Sequence, residues 1–244
     1  MKLNLNKNNF VNNILHPVSK LADNLLLDFV PLAGSGDSYQ AKTIVSSVDN
    51  SVILMGRMQC TATDPFRCVI PDCKTFLRLF SGIEQPDVVL DINSNSINYK
   101  QSSFSFKYHL LDESYVVNKK ALNEDKLGAL EFDTSFLVSK QKFSEIIKFN
   151  SIVPDAEKLY FVSEDSKIFA KLGDEQKSNT NEIVTEISSR FQGEPLTEKF
   201  PINITNILLF SFGSDEIKIS INHRLKIFKF STDCLSYIVS GLVK

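Results

Sequence analysis

The chain has 244 residues, 43% of them hydrophobic, with 27 Lys and Arg against 29 Asp and Glu. That length is comfortable for two domains, and the apolar content excludes a disordered chain. A net charge of −2 excludes a protein that grips nucleic acid by overall charge. Any such contact must draw on basic residues gathered on one surface.

In chain order, Met1-Lys2-Leu3 reads as a short strand leading into a helix over 7–20, where Phe10 and Ile14 keep helical spacing. The opening residues lack the apolar core of a signal peptide. The longest apolar run, Ile204–Phe212, holds Asn206 and Ser211 and is too short for a bilayer. The expectation is an intracellular protein with no membrane segment. A strand follows at Asn24–Phe29. The glycine loop at Gly34-Ser35-Gly36 lacks the Lys-Ser/Thr ending of a phosphate-binding loop and reads as a turn. Next come Val69-Ile70-Pro71, then Asp72 at a helix-cap position before a short helix to Phe80. Strands at Val88–Ile92, Ser96–Lys100 and Phe104–His109 close this half.

After a polar stretch from Asp112 to Leu127, the same order returns about 130 residues later. Phe143 and Ile147 mark a helix over 139–149, followed by a strand at Lys158–Val162. Pro201 and the cap-like Asn203 precede a helix over 203–211, and strands at Glu216–Ile221, Leu225–Phe230 and Leu235–Val239 end the chain. The pattern predicts an α+β protein of two similar domains, 1–111 and 129–244, joined by a connector over 112–128. Each domain carries antiparallel sheets with two helices on one face.

The four predicted helices together hold seven basic residues and two acidic ones, in a chain whose total is acidic. Lys7 and Lys20 lie in the first helix, Lys74 and Arg78 in the second, and Lys140, Lys142 and Lys148 in the third. Lys74 and Arg78 share a face opposite Phe76 and Phe80, and Lys140 and Lys148 share one opposite Phe143 and Ile146. A solvated helix face carries lysines too, so one helix alone would mean little. Segregation across all four favours an anionic partner.

The two-fold repeat, four short helices, polar connector and length resemble the trimeric DNA sliding clamps. These are the polymerase processivity clamps of T-even-type bacteriophages and, more distantly, proliferating cell nuclear antigen. The likeness spans the chain and is architectural, without a short signature. It implies a homotrimeric ring around double-stranded DNA, held without sequence specificity by Lys7, Lys20, Lys74, Arg78, Lys140, Lys142 and Lys148. It implies a DNA polymerase and an ATP-dependent clamp loader as partners, no cofactor, and, for a viral protein, the cytoplasm of an infected bacterial host. By the same resemblance the strand with Phe104, Phe106 and Tyr108 would pair with the next subunit's strand holding Ile183, Thr185 and Ile187. Partner peptides would dock on Tyr115, Val116, Val117, Leu122, Leu242 and Val243. The last group has a plain alternative, that it pins the connector to its domain.

Other readings compete. Cys60, Cys68, Cys73 and Cys234 form no CxxC pair, and His16, His109 and His223 are scattered, so a metal site is not expected. Cys68 or Cys73 with His109 is the one conceivable nucleophile pair, with nothing around it that marks activation. The expectation is therefore no enzyme. A monomeric polymerase accessory or DNA-binding protein of two α+β domains, without a ring, is the alternative.

Overall fold

The computed structural model describes residues 1–34, 36–115, 124–174 and 181–242. The chain divides into two compact units, Met1–Gly128 and Ala129–Lys244.

The first unit opens with β1 (Lys2–Asn6), which runs directly into a helix built of three parts. These are α1 (Lys7–Phe10), a π-helical turn Val11–Leu15, and α2 (His16–Ser19). The chain continues through β2 (Leu25–Pro31), β3 (Ser38–Ser46), β4 (Val52–Ala62) and β5 (Phe66–Ile70). Then come α3 (Cys73–Ser81), β6 (Asp87–Ile92), β7 (Ser96–Lys100), β8 (Ser105–His109) and α4 (Glu124–Gly128). Strand–helix–three strands thus occurs twice within this one unit. Each copy lends its first strand to the other copy's sheet. β1 pairs antiparallel with β6, from Lys2↔Asp91 to Asn6↔Asp87, and β5 pairs with β2, from Leu25↔Ile70 to Phe29↔Phe66. The two sheets meet where Leu3↔Ala62 and Asn4↔Thr61 join β1 to β4.

Period-two burial explains the strands. In β4, Val52, Leu54, Met58, Cys60 and Ala62 point inward while Arg57, Gln59 and Thr61 face water. Gly56 occupies the one inward position that no side chain fits. A Cβ there would lie 2.5 Å from the carbonyl oxygen of Asn13, so the π-helical turn rests directly on β4. Phe10, Phe76 and Phe80 fill the space between helices and sheet, with ring centroids 5.1 Å apart for Phe10–Phe80 and 5.0 Å for Phe76–Phe80. Full burial of each contributes about 1.5–3 kcal/mol.

The second unit repeats the plan. It runs β9 (Thr134–Ser139), α5 (Lys140–Ile152), β10 (Lys158–Glu164), β11 (Lys167–Leu172), β12 (Ile183–Ser188), the two-residue β13 (Gln192–Gly193) and β14 (Ile202–Asn203). It ends with α6 (Ile204–Leu208), β15 (Glu216–Asn222), β16 (Ile227–Ser231) and β17 (Leu235–Ser240). The exchange of first strands recurs: β9 pairs with β15 and β14 with β10.

Three details differ from expectation. The last helix stops at Leu208, because Phe210 turns inward to stack on Tyr237 at 4.1 Å, and the Tyr237 hydroxyl accepts a hydrogen bond from the Ser211 N–H. The strand expected from Leu225 begins at Ile227, since Lys226 takes a left-handed turn conformation with φ of 53°. The opening strand runs on to Asn6, whose side chain then caps the helix by accepting from the Asn9 N–H at 3.1 Å. No helix among the described residues is long and apolar enough to cross a membrane.

Candidate nucleic-acid interface

The helices that begin at Lys7, Cys73, Lys140 and Ile204 are each fixed by a side-chain cap and by buried apolar residues, and the basic residues fall on what remains. In α3, Asp72 accepts hydrogen bonds from the Thr75 N–H at 2.9 Å and the Thr75 hydroxyl at 2.6 Å. The Thr75 hydroxyl and N–H hold the Asp72 carboxyl below its ordinary value. Cys73, Phe76 and Phe80 are buried, and Lys74 and Arg78 stand exposed one turn apart on the opposite side. Lys74 makes one ion pair, with exposed Asp23 at 3.3 Å, of the kind that contributes about 0–1 kcal/mol and exchanges readily.

Replacing Asp72 by Ala is expected to lower stability by about 1 kcal/mol, read as a fall in denaturation midpoint. Because the Asp72 pKa is depressed in the folded chain, its contribution is present above the ordinary Asp range and is lost as pH falls through the folded value. The Asp72→Ala difference should therefore vanish in strong acid.

In α5, the Ser139 hydroxyl accepts from the Lys142 N–H at 3.2 Å, Phe143 and Ile146 are buried, and Lys140 and Lys148 are exposed. The composite helix Lys7–Ser19 exposes Asn8, Asn9 and Asn12, and Lys20 follows it in the open. Half-buried His16 has its pKa lowered by burial first and by the Lys20 charge second, so it adds no charge at neutral pH.

Of the seven basic residues expected to meet an anion, five stand exposed: Lys20, Lys74, Arg78, Lys140 and Lys148. The other two are half-buried and engaged. The Lys7 amine donates to the carbonyl oxygen of Ile83, and the Lys142 amine to Glu145 at 2.9 Å. Nothing in the spacing of Lys7 signals this, because Ile83 lies far along the chain.

β8 carries hydrogen bonds to β7 and ends its sheet, and β12 pairs with β11 and ends the sheet β12–β11–β10–β14. β8 begins at Ser105, one residue after Phe104; Phe104 just before it and Phe106 within it are half-buried. Tyr108 is turned into its own core, its ring 4.8 Å from Phe76 and its hydroxyl accepting from the Asp72 N–H at 3.0 Å. Ile183 and Thr185 are half-buried and Ile187 is buried. Tyr108 and Ile187 thus serve their own units with their side chains and leave only backbone for a neighbour.

Val116, Val117, Leu122, Val243 and the side chain of Tyr115 lie outside the described residues. Leu242 is partly exposed, and its N–H donates to the Pro201 carbonyl at 2.8 Å. It borders a cavity of about 280 Å³ with Phe200, Pro201 and Lys226.

The described residues hold no group of three or more metal-ligating side chains. Burial pushes the thiols of Cys68 and Cys73 up to about 12 and that of Cys60 to about 11, the reverse of an activated nucleophile.

No protein-family model matches this sequence, and no curated protein resembles it in sequence. Solved structures do match. The chain has the DNA-clamp fold, an α+β arrangement shared with sliding clamps along its whole length. It is similar to PCNA from A. fulgidus, solved with the C-terminal region of FEN-1 bound, at a TM-score of 0.78 and 12% identity, covering 100% of this chain and 98% of that one. The PCNA2–PCNA3 complex from Sulfolobus tokodaii matches with a TM-score of 0.73 and 13% identity over 99% of each chain. The DNA polymerase sliding clamp from Bacillus subtilis matches at 0.76 and 12% identity over all of this chain and 64% of its own.

Proposed function

We propose that this chain is a subunit of a DNA sliding clamp, a non-enzymatic processivity factor that encircles duplex DNA and tethers a polymerase to its template. The observation that carries the reading is the joint one of fold and charge. A chain of net −2 with the clamp fold exposes Lys20, Lys74, Arg78, Lys140 and Lys148 in and beside its helices, opposite the apolar stripes. Lysines meeting phosphates hold a duplex without reading bases, which permits sliding.

In this reading domains 1–111 and 129–244 are joined by the connector 112–128, and three copies close the ring. Coverage of 98% of a PCNA chain supports two domains per subunit. The joint would be head-to-tail, β8 of one copy on β12 of the next. Charge does not select it: Lys107 and His109 are exposed on β8, but Glu182 and Glu186 at β12 already pair with Lys171 and Lys167 of β11, each at 2.9 Å. Both strands are sheet ends, which such pairing would cover. A partner's tail would dock at the cavity beside Leu242; the similar PCNA from A. fulgidus was solved with the C-terminal region of FEN-1 bound. An ATP-dependent loader would open the ring, and the setting would be the cytoplasm of a bacterium infected by a T-even-type phage.

The expected solution mass is three times the 27.5 kDa chain, measured by light scattering at micromolar concentration. A mass of one chain that persists at high concentration would instead favour the polymerase accessory without a ring.

A further inference from the structure

The two units differ at one equivalent place. In the first, β1 and β4 close the gap between the sheets by direct pairing at Leu3↔Ala62 and Asn4↔Thr61. In the second, β9 is met only by the short β13 that follows β12, at Gln192↔Ser135 and Gly193↔Thr134, and a cavity of about 590 Å³ lies between β9 and the end of β12. That volume is in the range of ligand sites, roughly 300–1,000 Å³.

The cavity has an open strand edge. The Lys140 N–H bonds the Asp215 carbonyl, so in the alternation of the β9–β15 ladder Leu137 is a residue whose N–H and C=O point away from β15, toward the cavity. β13 covers β9 only at Thr134 and Ser135. The side chain of Leu137 is 42% exposed on the cavity wall, and half-buried Phe191 lines the same space. Lys218 lies beside Leu137 in register, and Arg190 borders the cavity; both are exposed and neither makes an ion pair among the described residues. Glu216, next to Ser139, is the one acidic lining residue, so the positive end is the Leu137–Lys218 end.

We propose that this groove binds an extended acidic peptide segment of a partner protein. Its backbone adds to β9 at Leu137, one carboxylate meets Lys218 and Arg190, and a neighbouring apolar side chain covers Leu137 and Phe191. Charge complementarity selects the occupant: two unpaired cations beside an exposed leucine, in a chain that is acidic overall, match a segment alternating carboxylate and apolar side chains. The lining belongs wholly to the second unit; Ile187 and Ser188 of it lie in β12, so a β8 joined to β12 in the proposed ring would border the groove.

The test uses the full chain and a fluorescein-labelled hexapeptide alternating Asp and Leu, followed by anisotropy. Binding is expected, weakened at least about tenfold by Lys218→Glu with Arg190→Glu, and lost when Lys replaces Asp in the peptide. Hydrogen exchange should slow at Leu137 when the peptide is present. Leu137→Asp provides a second variant, on the apolar contact, should the double reversal unfold the unit. Absent binding, equal affinity for the Lys peptide, unchanged affinity in a folded variant, or protection at Leu242 in place of Leu137 would each overturn the proposal.

Discussion

Reversing Lys74, Arg78, Lys140 and Lys148 to Glu together is expected to abolish processive synthesis while the denaturation midpoint barely moves. All four side chains are exposed, and the stripes that hold their helices, Phe76–Phe80 in α3 and Phe143–Ile146 in α5, lie on the opposite sides. Surface changes of this kind usually shift stability by under about 0.5 kcal/mol each. Binding is another matter. Each phosphate contact removed flattens the dependence of log affinity on log salt by about 0.9, and a glutamate adds repulsion where attraction stood. The measurement is DNA retention across a salt series with a melt on the same sample. A folded quadruple variant with an unchanged salt slope would mean that DNA, if bound, is held elsewhere. Lys7 and Lys142 are poor choices for this test, because each amine already has a partner within its own unit.

The second large effect concerns Gly193, which sits in β13 with φ of 91°. A Cβ there would lie 1.9 Å from the carbonyl oxygen of Asp133, a distance that no side chain tolerates. Gly193→Ala is expected to destabilise the second unit by about 3 kcal/mol, from backbone strain and from displacement of β13 off β9. Gly34 is the control. It has φ of 79° but nothing within 4 Å of an added Cβ, so Gly34→Ala should cost only about 1 kcal/mol. The difference between the two denaturation curves isolates the overlap with Asp133. Equal losses would mean that β13 yields freely and that the register Gly193↔Thr134 contributes little.

The α+β clamp architecture was legible because its determinants are local. Alternation marks β6 and β7, polar caps mark Asp72 and Asn203, and i, i+4 spacing sets Phe76 beside Phe80. What escaped the sequence depends on residues far apart in the chain. The π-helical turn at Val11–Leu15 is matched to Gly56 on another strand, and nothing in Val-Asn-Asn-Ile-Leu announces it. Tyr108 reads as an outward aromatic on an edge strand until Asp72, 36 residues earlier, is seen to take its hydroxyl. The cavity between β9 and β12 was invisible for the same reason, since it exists only where two non-adjacent strands fail to meet. Exposed lysines could be guessed from helix faces; which of them are already occupied could not.

The exchange of leading strands between copies sets a rule of parity. Every strand–helix–three-strand copy gives away its first strand and receives one, so copies are satisfied only in twos. A fragment with an odd number would leave one helix-bearing strand without a sheet and one sheet without its border. The smallest self-contained piece of this architecture is therefore a couple, and any chain lengthened or shortened by recombination keeps its folding only if it changes by whole couples.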